Sequence, residues 1–128
     1  MVWNRRIWLT LAALSALVSV AAGAFAAHGV ADPQAKEWLR LGASYQMSHA
    51  LAVFACALVM SLGGARARHA AAVFLVGAAL FSGSLYALAL GAPRWVAATT
   101  PLGGLCFLIG WAILAWAALS VDSGRSQA

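Results

Sequence analysis

Charge is what this chain has least of. Charged residues make up 9% of it, against about 25% in an ordinary soluble domain. That is too little polar surface to cover a water-soluble fold of this length. Acids are the scarcer sign, with three Asp and Glu against eight Lys and Arg, for a net charge of +5. The three are Asp32, Glu37 and Asp122. They form no pair of carboxylates for acid–base chemistry. None lies mid-way along an apolar run, where a proton-coupled exporter would carry one. The chain therefore has the size and span number of the small multidrug exporters without their chemistry. Cysteine is scarce too. If the apolar runs are helices, Cys56 and Cys106 differ in height by about 9 Å, too far for a disulfide, so both read as packing residues. There is no phosphate-binding loop and no nucleophile beside a base. No basic stripe with interleaved aromatics exists either, which excludes nucleic acid as a partner.

Apolar residues are abundant, at 64% of 128 residues, enough for one compact unit. They fall in four runs free of Asp, Glu, Lys and Arg: 7–27, 43–62, 70–92 and 95–121. Each reaches the ~20 residues that a helix needs to cross hydrocarbon. The runs are continuous rather than alternating, which excludes a β-barrel. The expected fold is all-α: a polytopic membrane protein with four transmembrane helices in an antiparallel bundle. The spans fall at about 7–28, 43–62, 70–92 and 98–120 in a single domain of residues 1–128. The first run has the layout of a secretory signal, with Arg5-Arg6, an apolar core and Ala24-Phe25-Ala26. Its apolar stretch exceeds the usual ~7–15 residues, so it reads as a retained span.

The cations lie between the runs, as topology determinants and lipid-headgroup contacts do. With four spans both termini share a side. That side holds Arg5, Arg6, Arg66, Arg68 and Arg125; the other holds Lys36, Arg40 and Arg94 with Asp32 and Glu37. The excess places both termini in the cytoplasm. On the outer side, Asp32-Pro33 reads as a helix cap followed by a first-turn proline. Residues 36–41 suit a short interfacial helix with Trp38 at headgroup depth. Gly42 would then turn the chain into the second span. The glycine-containing, basic connection 63–69 makes spans two and three antiparallel neighbours. The tail 122–128 is polar and reads as disordered. Small residues recur at four-residue spacing at Ser15, Ser19, Gly23 and Ala27, and at Ala79, Gly83, Ala87 and Gly91. Such stripes let membrane helices approach closely, within one chain or between copies.

Polar groups collect at the outer ends of the spans. His28 closes the first. Tyr45 and Gln46 enter the second, with His49 at i+4 and i+3 from them on the same face. On the third, Tyr86 lies about 8 Å below Gly91, with Ser82 at i−4 and Ser84 nearby. Thr100 starts the fourth. The inner half is bare apart from Ser15 and Ser61. Two readings fit the set His28, Tyr45, Gln46, His49, Ser82, Ser84, Tyr86 and Thr100. In one, the groups bond to each other and lock the helices, because an unsatisfied polar group in lipid costs several kcal/mol. In the other, they line a small outward pocket for a lipid headgroup, quinone or other amphiphile, with His49 the ionisable residue on which it turns. Under either reading His49 should lie within reach of Tyr86 or Ser82. His28 and His49 lack a third ligand at their depth, so no metal site is expected. No catalytic residue and no cofactor is expected. His69 reads as solvated.

These residues also carry a resemblance. Gly23-Ala24-Phe25-Ala26-Ala27-His28-Gly29, Tyr45-Gln46-Met47-Ser48-His49-Ala50-Leu51, Phe81-Ser82-Gly83-Ser84-Leu85-Tyr86 and Thr100-Pro101-Leu102-Gly103-Gly104, ending in Gly110-Trp111, follow in order over nearly the whole chain. Together they resemble domain-of-unknown-function family 423, small bacterial membrane proteins related to eukaryotic transmembrane protein 256. Ala26 stands where the family usually has glycine. The resemblance implies four spans and an inner-membrane location, and it implies no activity. The function expected is that of a non-enzymatic membrane protein whose polar cluster stabilises the bundle or binds a lipid or small amphiphile. The alternative is an accessory subunit or assembly factor, docking on a membrane-protein partner or a second copy. A small-solute transporter or channel is a third reading. The lipid bilayer is a partner in every case.

Overall fold

A computed structural model describes residues 3–123; Arg125 and the tail from residue 124 onward lie outside the described residues. Four α-helices follow each other: α1 (Arg5–His28), α2 (Pro33–Ser61), α3 (Ala67–Ala89) and α4 (Thr99–Ala118), the last preceded by a 3-10 turn at Arg94–Ala98. All four are long and apolar enough to cross a membrane. Their outward faces are apolar as well, carrying Leu17, Val20, Leu58, Val76 and Leu108. A helix apolar on its outer side needs lipid around it rather than water.

The helices run antiparallel. At the end that bears the termini, Trp3, Val59 and Met60 each pack, partly buried, against the hydrophobic core. Arg66 Nη2 donates to Ser120 Oγ there, and the Asp122 amide donates to the Leu62 carbonyl at 2.9 Å. Asp122 and Ser123 are thus turn residues held against the α2–α3 connection, and the polar tail does not begin loosely at 122. The Arg66 guanidinium also lies 4.0 Å over the Trp116 ring. Gly63, at φ +110, makes the tight turn between α2 and α3, a conformation that residues with a side chain rarely adopt.

Helices α2 and α3 form the centre. Helix α1 packs on α2, and α4 packs chiefly on α3. The core at the termini end is built of small residues around Phe74, which is fully buried with Val53, Cys56, Ala67, Ala70 and Ala71. Cys56 and Cys106 are free, as their heights imply. The small-residue stripe on α1 faces α2: Ser19 is buried, and a Cβ on Gly23 would meet the Ala43 Cβ at 3.9 Å. The stripe on α3 is different. Ala79 and Gly83 are exposed, and a Cβ on Gly83 or Gly91 would meet nothing within 4 Å.

A second expectation is overturned. There is no separate interfacial helix and no turn at Gly42, because α2 runs unbroken for 29 residues. Its start is as expected, with Asp32 accepting from the Ala35 amide at 2.9 Å and Pro33 in the first turn. The reason for the continuity lies in packing. Ala35, Leu39, Gly42, Ala43, Gln46, Ala50 and Val53 are all buried, and they form one helical stripe across the supposed break. Glycine within a helix costs about 1 kcal/mol relative to alanine. Here it admits the Tyr86 ring, whose Cε1 would lie 2.7 Å from a Cβ at this position.

Candidate functional site

The polar residues are brought together, but in two groups rather than one. The first ties α3 to α2 to α1. Tyr86 Oη donates to Gln46 Oε1 at 2.7 Å, and Gln46 Nε2 donates to Ser15 Oγ at 3.0 Å. Beside them Ser82 Oγ donates to the Gly42 carbonyl at 2.6 Å. Ser82 is buried one turn before Tyr86 and reaches a carbonyl that, inside a helix, still has a second lone pair to give.

The second group ties α2 and α3 to α4. Ser84 Oγ donates to the Phe81 carbonyl at 2.8 Å and lies against Thr100 Oγ1. With its one proton spent, Ser84 accepts from the threonine. Deeper, Trp111 Nε1 donates to His49 Nε2 at 3.0 Å. An indole offers only a donor, so the imidazole proton sits on Nδ1, 2.7 Å from the Tyr45 carbonyl. Both ring nitrogens of His49 are therefore engaged. Its face stacks on Phe107 with centroids 3.6 Å apart and planes 10° apart. Phe74 and Trp111 close the same aromatic set, 4.9 Å from each other.

Three expectations change here. His49 bonds to neither Tyr86 nor Ser82; its partners are Trp111 and the Tyr45 carbonyl. Tyr45, Gln46 and His49 do not share one site. Gln46 turns to α1 and α3, whereas Tyr45 and His49 face α4 and the rings of Phe81 and Phe107. A helix places i+3 and i+4 neighbours about 60° and 40° to either side of the starting residue, which is wide enough to send two of them to different helices. His28 is exposed at the end of α1 and joins neither group. In its place α1 contributes Ser15, ten residues from Arg5 and so about 15 Å along the helix. The cluster therefore reaches the middle of the bundle and is not confined to one end.

Trp111 and Ser15 are the residues that sequence reasoning missed. A signal existed for the first, since an indole N–H in an apolar run needs an acceptor, but counting inward from Ala43 and from Thr100 puts His49 and Trp111 at different depths, which hid the partner. Among the described residues no three potential metal ligands of His, Cys, Asp or Glu type converge.

Beside His49 a lateral groove of about 590 Å³ opens between α2, α3 and α4. Tyr45, Phe81, Phe107 and Trp111 wall it, and Pro101, Gly104 and Leu108 complete it. Among the described residues the Tyr45 hydroxyl makes no hydrogen bond to the chain, and it is the one polar side-chain group of the groove left open. A Cβ on Gly104 would meet nothing within 4 Å.

Comparison with known proteins agrees with this architecture. Residues 22–104 match a family described as "Protein of unknown function (DUF423)". A "UPF0382 membrane protein" of Haemophilus influenzae is 45% identical over 91% of this chain and 96% of its own. The "UPF0382 inner membrane protein YgdD" of Escherichia coli K12 is 41% identical over 85% of this chain and 86% of its own. A "UPF0382 membrane protein" of Staphylococcus epidermidis is 36% identical over 89% of this chain. No solved structure matches. With four helices able to span a membrane, this chain belongs to the DUF423 family of membrane proteins, whose function is unknown.

Proposed function

We propose that this is a non-enzymatic membrane protein in which interhelical hydrogen bonds fix a frame, and the frame holds an aromatic groove for one small amphiphile. A single observation supports this most. Gln46, Tyr86, Ser82, Ser84, His49 and Trp111 each hydrogen-bond to another helix, while among the described residues the Tyr45 hydroxyl beside the groove bonds to none. The occupant that suits such a wall has a flat or chain-like apolar body and one hydrogen-bonding group. Both termini face the cytoplasm in this reading. Arg5, Arg6, Arg66 and Arg68 mark that end, and Asp32 and Glu37 lie at the other.

The groove is tested by Gly104→Leu, which fills open space without touching the helix contacts, and by Tyr45→Phe, which removes the open hydroxyl. Native mass spectrometry of the gently purified protein should show a bound small molecule in the parent. Gly104→Leu should lose it at unchanged thermal stability. Identical bound species in parent and Gly104→Leu, or none in either, would reject the groove.

The exposed α3 stripe favours a second reading, that of an accessory subunit or self-associating protein. Gly83 and Gly91 have room for an approaching helix. Comigration of the native protein with a much larger assembly, lost on Gly83→Leu, would support it, and a bare monomer would remove it.

A further inference from the structure

A second surface, at the termini end, carries its own chemistry. A trough of about 470 Å³ lies between α1 and α2, lined by Arg5, Arg6, Leu9, Thr10, Leu14 and Phe54. A smaller trough of about 260 Å³, lined by α1 alone, passes Ile7 and Leu11 and shares Arg6 and Thr10 with the first. We propose that this double trough seats an anionic phospholipid of the leaflet that faces the termini, with its phosphate on Arg5 and Arg6 and its two chains in the two troughs.

Order along α1 supports the assignment. Both guanidiniums are exposed and make no hydrogen bond or ion pair among the described residues. Arg66 differs, being held by Ser120 and Trp116. Thr10 lies at i+4 from Arg6, one turn deeper, where the ester carbonyls of a bound lipid would lie. Ser19, Ser48 and Ser61 turn their hydroxyls back onto carbonyls of their own helix. Among the described residues Thr10 makes no such bond, which leaves its hydroxyl to donate to a lipid. Below it the lining is wholly apolar as far as Leu14, about 12 Å along the helix from Arg6. Charge, then a hydroxyl, then apolar wall is the order of groups in a phospholipid. A zwitterionic headgroup would bring its own cation to the two arginines.

The test uses the full chain in nanodiscs of phosphatidylcholine doped with a minor share of phosphatidylglycerol. Release into gentle detergent and native mass spectrometry then give the ratio of the two lipids retained. The parent should retain phosphatidylglycerol preferentially. Arg5→Gln and Arg6→Gln should each weaken that preference about fivefold, and the pair about 25-fold, since a cation near an anionic surface contributes that much. Leu14→Trp, which fills the trough and leaves both arginines, should also lose the lipid, whereas Arg66→Gln should not. The proposal is overturned if the double variant keeps the parent's preference, or if Arg66→Gln loses it equally. Displacement of the lipid by excess inorganic phosphate would also overturn it, since that marks an anion contact without a lipid seat.

Discussion

Trp111 and His49 show what a single polar pair does in an apolar bundle. Trp111→Phe keeps a ring against Phe74 but leaves His49 Nε2 without a donor. An orphaned buried acceptor costs about 1–3 kcal/mol, and interhelical hydrogen bonds in membranes average about 0.6 kcal/mol. A loss of about 1 kcal/mol in detergent unfolding is expected, and with His49→Phe as the partner variant a double-mutant cycle should show the two effects to be strongly non-additive. Gln46 allows a ranking. Gln46→Leu strands both Tyr86 Oη and Ser15 Oγ, while Tyr86→Phe removes one bond and leaves Gln46 its serine. The glutamine variant should therefore be less stable than the phenylalanine variant by about 1 kcal/mol in the same assay, and equal losses would mean that the Ser15 bond contributes nothing. The residue types of this network were readable from the sequence. Their partners were not, because Gln46 and His49 are three positions apart on one helix yet face different neighbours.

At the scale of elements, glycine decides how close two helices come. A Cβ on Gly103 would lie 2.6 Å from the Phe81 Cβ and 2.7 Å from its Cα, so α3 and α4 touch almost backbone to backbone. Gly103→Ala must push them apart and should cost about 1–3 kcal/mol. Gly83→Ala meets open space and should be neutral, or stabilising by up to about 1 kcal/mol through helix propensity. Parallel melting of the two variants checks both, and equal effects would disprove the close contact. The two glycines look alike in the sequence, each in a motif with small neighbours. The continuity of α2 was in principle legible, since the buried positions 35, 39, 42, 46, 50 and 53 keep helical spacing through Gly42. The charges of Lys36, Glu37 and Arg40, taken without that stripe, point to an interfacial helix instead. A helix can carry charges in its first turns and still run on into the bundle, so long as its inward stripe is unbroken.

For the whole molecule, orientation is the property to measure. Ala31→Cys, in the α1–α2 connection, should react with an impermeant maleimide on intact spheroplasts. Ala65→Cys, in the α2–α3 turn, should react only after lysis. The reverse order would put the termini outside and move the lipid seat to the other leaflet. The paths through the bundle make this a single rigid question. Helices α2 and α3 form the centre, and the bonds from Trp111 to His49 and from Gln46 to Ser15 reach outward to α4 and α1.

The sequence by itself determined that the chain is helical, that it spans a membrane four times and that it is capped at Asp32. These follow from apolar run length, the near absence of charge and the chemistry of a helix start, all of which are local. It also supplied the polar side chains and the small residues. Only the tertiary structure decided how they are used: Trp111 rather than Tyr86 against His49, Ser15 rather than His28 in the cluster, Gly42 as a berth for a ring rather than a turn. The reason is geometric. Each of these depends on the rotation and height of one helix against another, and those are set by the sum of many contacts between residues distant in the chain.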